Sequence, residues 1–289
     1  MTDVIIIGNG PAGVSAALYT KRAGIDTLII GRDNGSLGKA DKVENYYGFA
    51  LPVSGTELIN NGIAAVKRLG VDIISDEVLD IQYFENFSIK TKKTELQAHS
   101  VIIATGISRN TPRIKGIAEF EGKGISYCAV CDGFFYRGKD VCVIGEGSYA
   151  VHEAKELLPL ANSVTLATNG VEPNVKIPDE IKVQTKKILE IQGTSSVDAI
   201  LFENDELLRC SGIFIAIGVA GSTDFAKKLG AQTEGNKIIV DENMATNVPG
   251  LFAAGDCTAG MLQVAKAVYD GAKAGTEAVK YIRQLKKGV

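Results

Sequence analysis

The sequence has no tryptophan, only two histidines (His99 and His152), and five cysteines scattered over 289 residues. Lone histidines make no spaced metal motif, and an odd set of cysteines is no disulfide framework of the kind that staples small secreted domains. An excess of charge is also missing. Thirty-one Lys and Arg against 34 Asp and Glu leave a formal net charge of -3, which gives no electrostatic footprint for nucleic acid. No apolar run approaches the ~18 residues of a membrane span. "MTDVIIIG" lacks a basic leader and turns at Gly8, so it reads as a first strand and not a signal peptide; the expected compartment is the cytosol.

What is present is 45% hydrophobic residues and thirty-two glycines, the composition of a globular α/β protein with many turns. "DVIIIGNGPAG" is a short apolar strand, Val4 to Ile7, that runs into a tight glycine turn, with a helix expected to about Arg22. "SGTE" at Ser54 to Glu57 is a capping box that should open a helix to about Leu69. The design then restarts: "DVCVIGEGSYA", Asp140 to Ala150, repeats the strand, G-x-G-x-x-A and helix. Two such openings predict two doubly wound, Rossmann-like domains with one cofactor site each. "PGLFAAGD" and the last helix, expected from about Met261, resemble neither opening, so the second domain should be inserted into the first. Pro112 in "RNTPRIKG" marks the outward linker.

In "GNGPAG" Gly8 permits the turn, Gly10 lets the backbone approach a pyrophosphate, and Gly13 lets helix pack on strand; Pro11 and Ala12 open the helix whose N-terminus favours an anion. The acid expected ~20 residues on is displaced to Asp33. Asp256, at the end of "PGLFAAGD" after Gly255, is placed to hold a ribityl hydroxyl, and with "ATG" ending at Gly106 it points to FAD. "CAVCD" is the sharpest feature. A C-x-x-C in a reducing compartment is a redox dithiol or half a zinc site, and neither histidine lies in a partner motif. A dithiol needs an attacking thiolate, a resolving thiolate and a proton donor, and Asp132 adjoins the pair.

Assembled, these residues resemble the low-molecular-weight thioredoxin reductase family: "GNGPAG", "KVENYYG", "ATG", "YCAVCDGFFYRGKDV" and "PGLFAAGD" match in order and spacing over nearly the whole chain. The resemblance implies non-covalent FAD, a homodimer, and a discontinuous flavin domain (1–111 and 220–289) around a central domain (112–219) that carries the cysteines and swivels between flavin and thioredoxin. It implies Cys131 as the thiol nearer the flavin, Cys128 as the one that forms the mixed disulfide with thioredoxin, and Asp132 as the acid. It also places Asn45 in the flavin environment, and Gln263, with Val264 and Ala265 behind it, at the ring's pyrimidine end. The family's arginine before that glutamine is Leu262 here.

The second turn departs most. Family members that use NADPH carry a basic cluster at the end of the next strand, where this chain has Thr168, Asn169 and Gly170, and Glu146 adds a negative charge inside the turn. Each charge-assisted hydrogen bond is worth roughly 1.5–3 kcal/mol. Losing two or three costs on the order of 3–6 kcal/mol, or ~10²–10⁴ in affinity. The chain also resembles the ferredoxin-dependent flavin thioredoxin reductases, which keep FAD and the C-x-x-C without nicotinamide motifs. That resemblance implies ferredoxin as the electron donor and thioredoxin as the acceptor. An acidic ferredoxin would need a basic patch, for which Lys21, Arg22, Arg32, Lys39 and Lys42 are candidates. An NAD(P)H-dependent thioredoxin reductase, a diflavin disulfide oxidoreductase and a flavin-bearing redox sensor remain as alternatives.

Overall fold

The computed structural model describes residues 1–106, 113–173, 175–218 and 220–288, without the side chains of Cys131 and Asn204. Pro112, with the first half of the expected linker, lies outside the described residues, as does Asn174. The chain divides into two units, Met1–Ser108 with Gly221–Val289, and Arg109–Ala220.

In the first unit the unbroken Val4–Ile7 run forms the core of β1 (Thr2–Ile7), at most 3% exposed, as suits a strand covered on both faces. It pairs in parallel with β2 (Thr27–Gly31) and with β6 (Glu95–Ile103), and β2 pairs with β3 (Asp72–Ser75). β4 (Val78–Tyr83) and β5 (Phe87–Thr91) form an antiparallel meander on the first half of β6, whose second half stays in the parallel sheet. Helix α1 (Pro11–Arg22) follows the glycine turn. Helix α2 (Gly55–Arg68) starts where Ser54 Oγ accepts the Glu57 amide at 3.1 Å, as its capping sequence predicts.

The second unit begins with α3 (Ile117–Phe120), β7 (Ile125–Ser126) and the short helix α4 (Ala129–Asp132). β8 (Asp140–Ile144) then enters the centre of a parallel sheet, followed by α5 (Ser148–Leu157), β9 (Ser163–Ala167) and β10 (Lys182–Gln184). An antiparallel layer of β11 (Ile188–Gly193), β12 (Val197–Phe202) and β13 (Leu207–Arg209) comes next, and β14 (Gly212–Ile215) returns to sit between β8 and β7. Ile188, Ile191, Ile200 and Phe202 of that layer pack on Cys142, Ile144, Ile213 and Ile215 of the parallel sheet, closing an apolar core.

The chain re-enters the first unit through α6 (Ser222–Lys228), held to β4 by a buried Lys228–Asp80 ion pair at 3.0 Å. A small hairpin, β15 (Thr233–Glu234) and β16 (Lys237–Ile238), precedes β17 (Leu251–Ala253), which adds in parallel to β6. Helix α7 (Val264–Lys287) then lies along α1. The two helices touch through small residues: a β-carbon on Gly271 would stand 2.0 Å from the Ala12 carbonyl oxygen, and one on Gly275 2.6 Å from that of Ala16. Helix α7 starts three residues later than its sequence suggests because Gln263 is extended (φ -141, ψ 150) and serves as the N-cap. The architecture is the α/β class with two Rossmann-like units expected from the repeated opening. Among the described residues no helix is long and apolar enough to cross a membrane.

Candidate functional site

Cys128 is 4% exposed and disulfide-bonded, whereas Cys142, Cys210 and Cys257 are free and buried. Burial pushes the Cys210 and Cys257 thiols up to about 12, which leaves them protonated and unreactive at neutral pH. The Cys131 backbone lies in α4 and its side chain is outside the described residues. Two residues that the sequence reading missed organise this turn. Ser126, at the end of β7, accepts the Cys128 amide at 3.1 Å and donates to Asp132 Oδ2 at 2.6 Å. Glu153, 1% exposed on α5, accepts the Ala129 amide at 2.8 Å. The visible signals are a serine two residues before the first cysteine and a carboxylate inside the apolar face of a helix. Around the buried sulfur the segment is apolar and open: Val130, Phe134 and Phe135 are 49%, 66% and 68% exposed.

In the first unit close approaches bring the sequence-predicted residues together. A β-carbon on Gly8 (φ +117) would stand 2.2 Å from the Ala104 carbonyl oxygen, so the turn sits against the loop that leads to Gly106. One on Gly255 would meet the Ala12 side chain at 2.9 Å, which sets Asp256 beside the start of α1. A β-carbon on Gly10 would meet nothing within 4 Å, so a ligand can reach that backbone. The α1 N-terminus has no side-chain cap and no acid in its first turn. Asn45 Nδ2 donates to Gln263 Oε1 at 2.9 Å across 218 residues of sequence. Asp33 is salt-bridged to its neighbour Arg32 and accepts the Gly35 amide at 2.8 Å. Lys266 was not anticipated, although its i,i+4 spacing to Asp270 was legible. Its Nζ bonds the Gly255 carbonyl at 2.7 Å and Asp270 at 2.9 Å, while Asp270 accepts the Gly255 amide.

The second glycine turn keeps its shape, and the three residues after the next strand carry no charge. A β-carbon on Gly145 would stand 2.2 Å from the Ala216 carbonyl oxygen, and Gly147 caps α5 with no side-chain partner. Beyond β9, Thr168 is 1% exposed, its hydroxyl without a hydrogen-bond partner. Asn169 takes a left-handed conformation (φ 53) and spends its side-chain oxygen on the Ile188 amide at 2.8 Å. Gly170 (φ +87) follows. One cation comes near from elsewhere, because Lys187 Cβ lies 3.7 Å from where a Gly170 β-carbon would sit. A single exposed lysine contributes roughly 0–1 kcal/mol, far below the 3–6 kcal/mol estimated above for the missing cluster.

Comparison with known proteins places the chain. The pyridine nucleotide-disulphide oxidoreductase family matches residues 2–271. The thioredoxin reductase of Listeria innocua is 34% identical over 310 residues, covering 99% of this chain and 96% of that one. The chain belongs to the low-molecular-weight thioredoxin reductase family.

Among solved thioredoxin reductases, an atypical one from Desulfovibrio vulgaris Hildenborough is 41% identical with a TM-score of 0.93, over 98% of this chain and 99% of that one. A ferredoxin-flavin thioredoxin reductase from Clostridium acetobutylicum is 30% identical with a TM-score of 0.73, over 98% of both chains. Thioredoxin reductases of this family are FAD-binding flavoproteins. The residues present in the first unit fit that cofactor. Gly10 leaves room at an uncapped helix N-terminus, and the Thr105 hydroxyl, one residue before Gly106, is buried without a hydrogen-bond partner. The basic patch is divided. Lys21 and Arg22 sit at the C-terminal end of α1, a helix length of about 18 Å from the glycine turn. Arg32 is paired with Asp33, and Lys39 and Lys42 are exposed in the segment between β2 and α2.

Proposed function

We propose that this flavin-dependent disulfide oxidoreductase reduces thioredoxin through Cys128 and Cys131 with electrons from ferredoxin. The observation that carries the choice of donor is the strand end after the second glycine turn. Its three side chains are a buried threonine, an asparagine committed to the Ile188 amide, and a glycine. The likeness to a ferredoxin-flavin thioredoxin reductase over 98% of both chains supports the same reading. Gly8, Gly10, Pro11, Ala12 and Gly13 with Asp33, Asn45, Gly106, Gly255, Asp256 and the Gln263–Ala265 helix start would hold FAD, which would supply the two electrons that reduce the disulfide.

The chain's own groups then act in thiol–disulfide exchange. The Cys128 thiolate attacks thioredoxin's disulfide, and Asp132 protonates the departing sulfur. Cys131 next attacks Cys128 and frees the second thioredoxin thiolate. The exposed Val130, Phe134 and Phe135, on the same segment as Cys128, offer thioredoxin an apolar docking face. Since the matching family is named for pyridine nucleotides, a nicotinamide donor is the rival. Steady-state thioredoxin reduction is to be compared with NADPH, NADH or photoreduced ferredoxin as the sole reductant. Turnover with ferredoxin alone is the expected result, and equal turnover with either nucleotide would overturn it.

A further inference from the structure

Ser126 is 5% exposed, and its hydroxyl meets three groups of the redox turn. It accepts the Cys128 amide at 3.1 Å, donates to Asp132 Oδ2 at 2.6 Å, and has the Cys128 carbonyl oxygen at 3.4 Å. A hydroxyl carries one proton and two acceptor sites. With Asp132 ionised, the Ser126 proton points to Oδ2. With Asp132 protonated, the carboxyl O–H donates to Ser126 Oγ, and the Ser126 proton turns to the Cys128 carbonyl. In the second state Oγ accepts two bonds and donates one, so its capacity is filled. Neither state leaves the buried Ser126 hydroxyl without an acceptor for its proton.

We propose that Ser126 is a positioning residue for the dithiol reaction: it holds the Asp132 carboxyl in one place through both of its protonation states. The proposal rests on Asp132 as the proton donor. When the Cys128 thiolate forms its bond to one thioredoxin sulfur, the thioredoxin S–S bond breaks. The departing sulfur takes the Asp132 proton, and the new carboxylate takes a hydrogen bond from Ser126. Cys131 then displaces the second thioredoxin thiolate from Cys128 to close the Cys128–Cys131 disulfide. Thioredoxin gains the two electrons of the dithiol and two protons, one from Asp132 and one from the Cys131 thiol as it attacks; Asp132 regains from solvent the proton that Cys128 released there on ionising. A serine that only shaped the turn would bond the Cys128 amide and have no need of Asp132.

The test mixes pre-reduced holoenzyme with oxidised thioredoxin and reads the plateau rate and the half-saturating concentration. The variants are Ser126→Ala, Ser126→Thr, Ser126→Val, Asp132→Asn and the double variant S126A/D132N. General acid catalysis contributes ~10²–10⁴-fold, and loss of positioning should remove about tenfold of it. Ser126→Ala should therefore lower the plateau about tenfold with half-saturation unchanged, Ser126→Thr should recover most of the loss, and the double variant should be no slower than Asp132→Asn. Thr and Val differ only in the hydroxyl, so a Thr rate above the Val rate keeps the result readable where alanine unfolds the turn. A full-rate Ser126→Ala beside a slow Asp132→Asn, or losses that multiply in the double variant, would overturn the role of Ser126 alone. A full-rate Asp132→Asn would remove Asp132 as donor and this proposal with it.

Discussion

Gly10 and Gly147 stand at the same place in two glycine turns, one in each unit. Each is the N-cap of the helix that follows, and neither would bring a β-carbon closer than 3.6 Å to the atoms around it. Gly8 and Gly145 match as well, each tight against a carbonyl of a neighbouring loop at 2.2 Å. The units part at the ends of the next strands. After β2 come the charged side chains of Arg32 and Asp33; after β9 come Thr168, buried, and Asn169, used up on the Ile188 amide. A glycine turn is kept by how strand, helix and loop pack, whether or not a ligand sits on it. The side chains at the strand end answer to the ligand and are free to change when it is gone.

The largest expected effect attacks what the turns share. Gly8→Ala puts a methyl 2.2 Å from the Ala104 carbonyl oxygen at φ +117, and Gly145→Ala does the same at Ala216. Each should cost roughly 3 kcal/mol or more, read as a fall in the melting temperature; stable folding of either would show that packing does not fix the turn. A second pair of substitutions separates the turns. Gly10→Ala should cut the FAD-to-protein ratio with the fold intact, and Gly147→Ala should leave both FAD content and ferredoxin-driven turnover unchanged. NADPH-driven turnover that is present in the parent chain and lost in Gly147→Ala would mean that the second turn holds a nucleotide after all.

A smaller effect sharpens the difference at the strand ends. Asn169→Ala strands the Ile188 amide and should cost about 1–2 kcal/mol, again read by thermal unfolding, while Lys187→Ala should change neither stability nor turnover with any donor. A loss of NADPH-driven turnover in Lys187→Ala would make that lysine the missing grip. The effect that is smallest at neutral pH concerns the inert thiols. Burial raises Cys257 to about 12, so as pH rises past ~8.5 the unfolded chain loses a proton that the folded chain keeps. Stability is therefore full below that pH and declines above it. Cys257→Ala should flatten the alkaline side of the melting temperature between about pH 9 and 11. An unchanged slope would place the alkaline loss elsewhere.

Local features were legible and long-range partners were not. The Val4–Ile7 run, the Ser54 cap and the glycine turns act within a few residues, where strand and cap preferences decide, and each forms the element it signals. The empty strand end at Thr168 to Gly170 could also be read, since a missing side chain needs no structure to be noticed. The Asn45–Gln263 hydrogen bond spans 218 residues and has no local signal; Glu153 stands out as a carboxylate on an apolar helix face, but its Ala129 partner depends on how α5 packs beside α4. As candidates for a basic patch, Lys21 and Arg22 carry no sequence signal of where they sit in space. The length of α1 carries them to its far end, where they complement the helix dipole.

The most direct test of the donor assignment is the flavin absorbance band of the purified enzyme, followed anaerobically as reductants are added. The account predicts that photoreduced ferredoxin bleaches the band and that micromolar NADPH or NADH leaves it standing. Rapid bleaching by either nucleotide would contradict it.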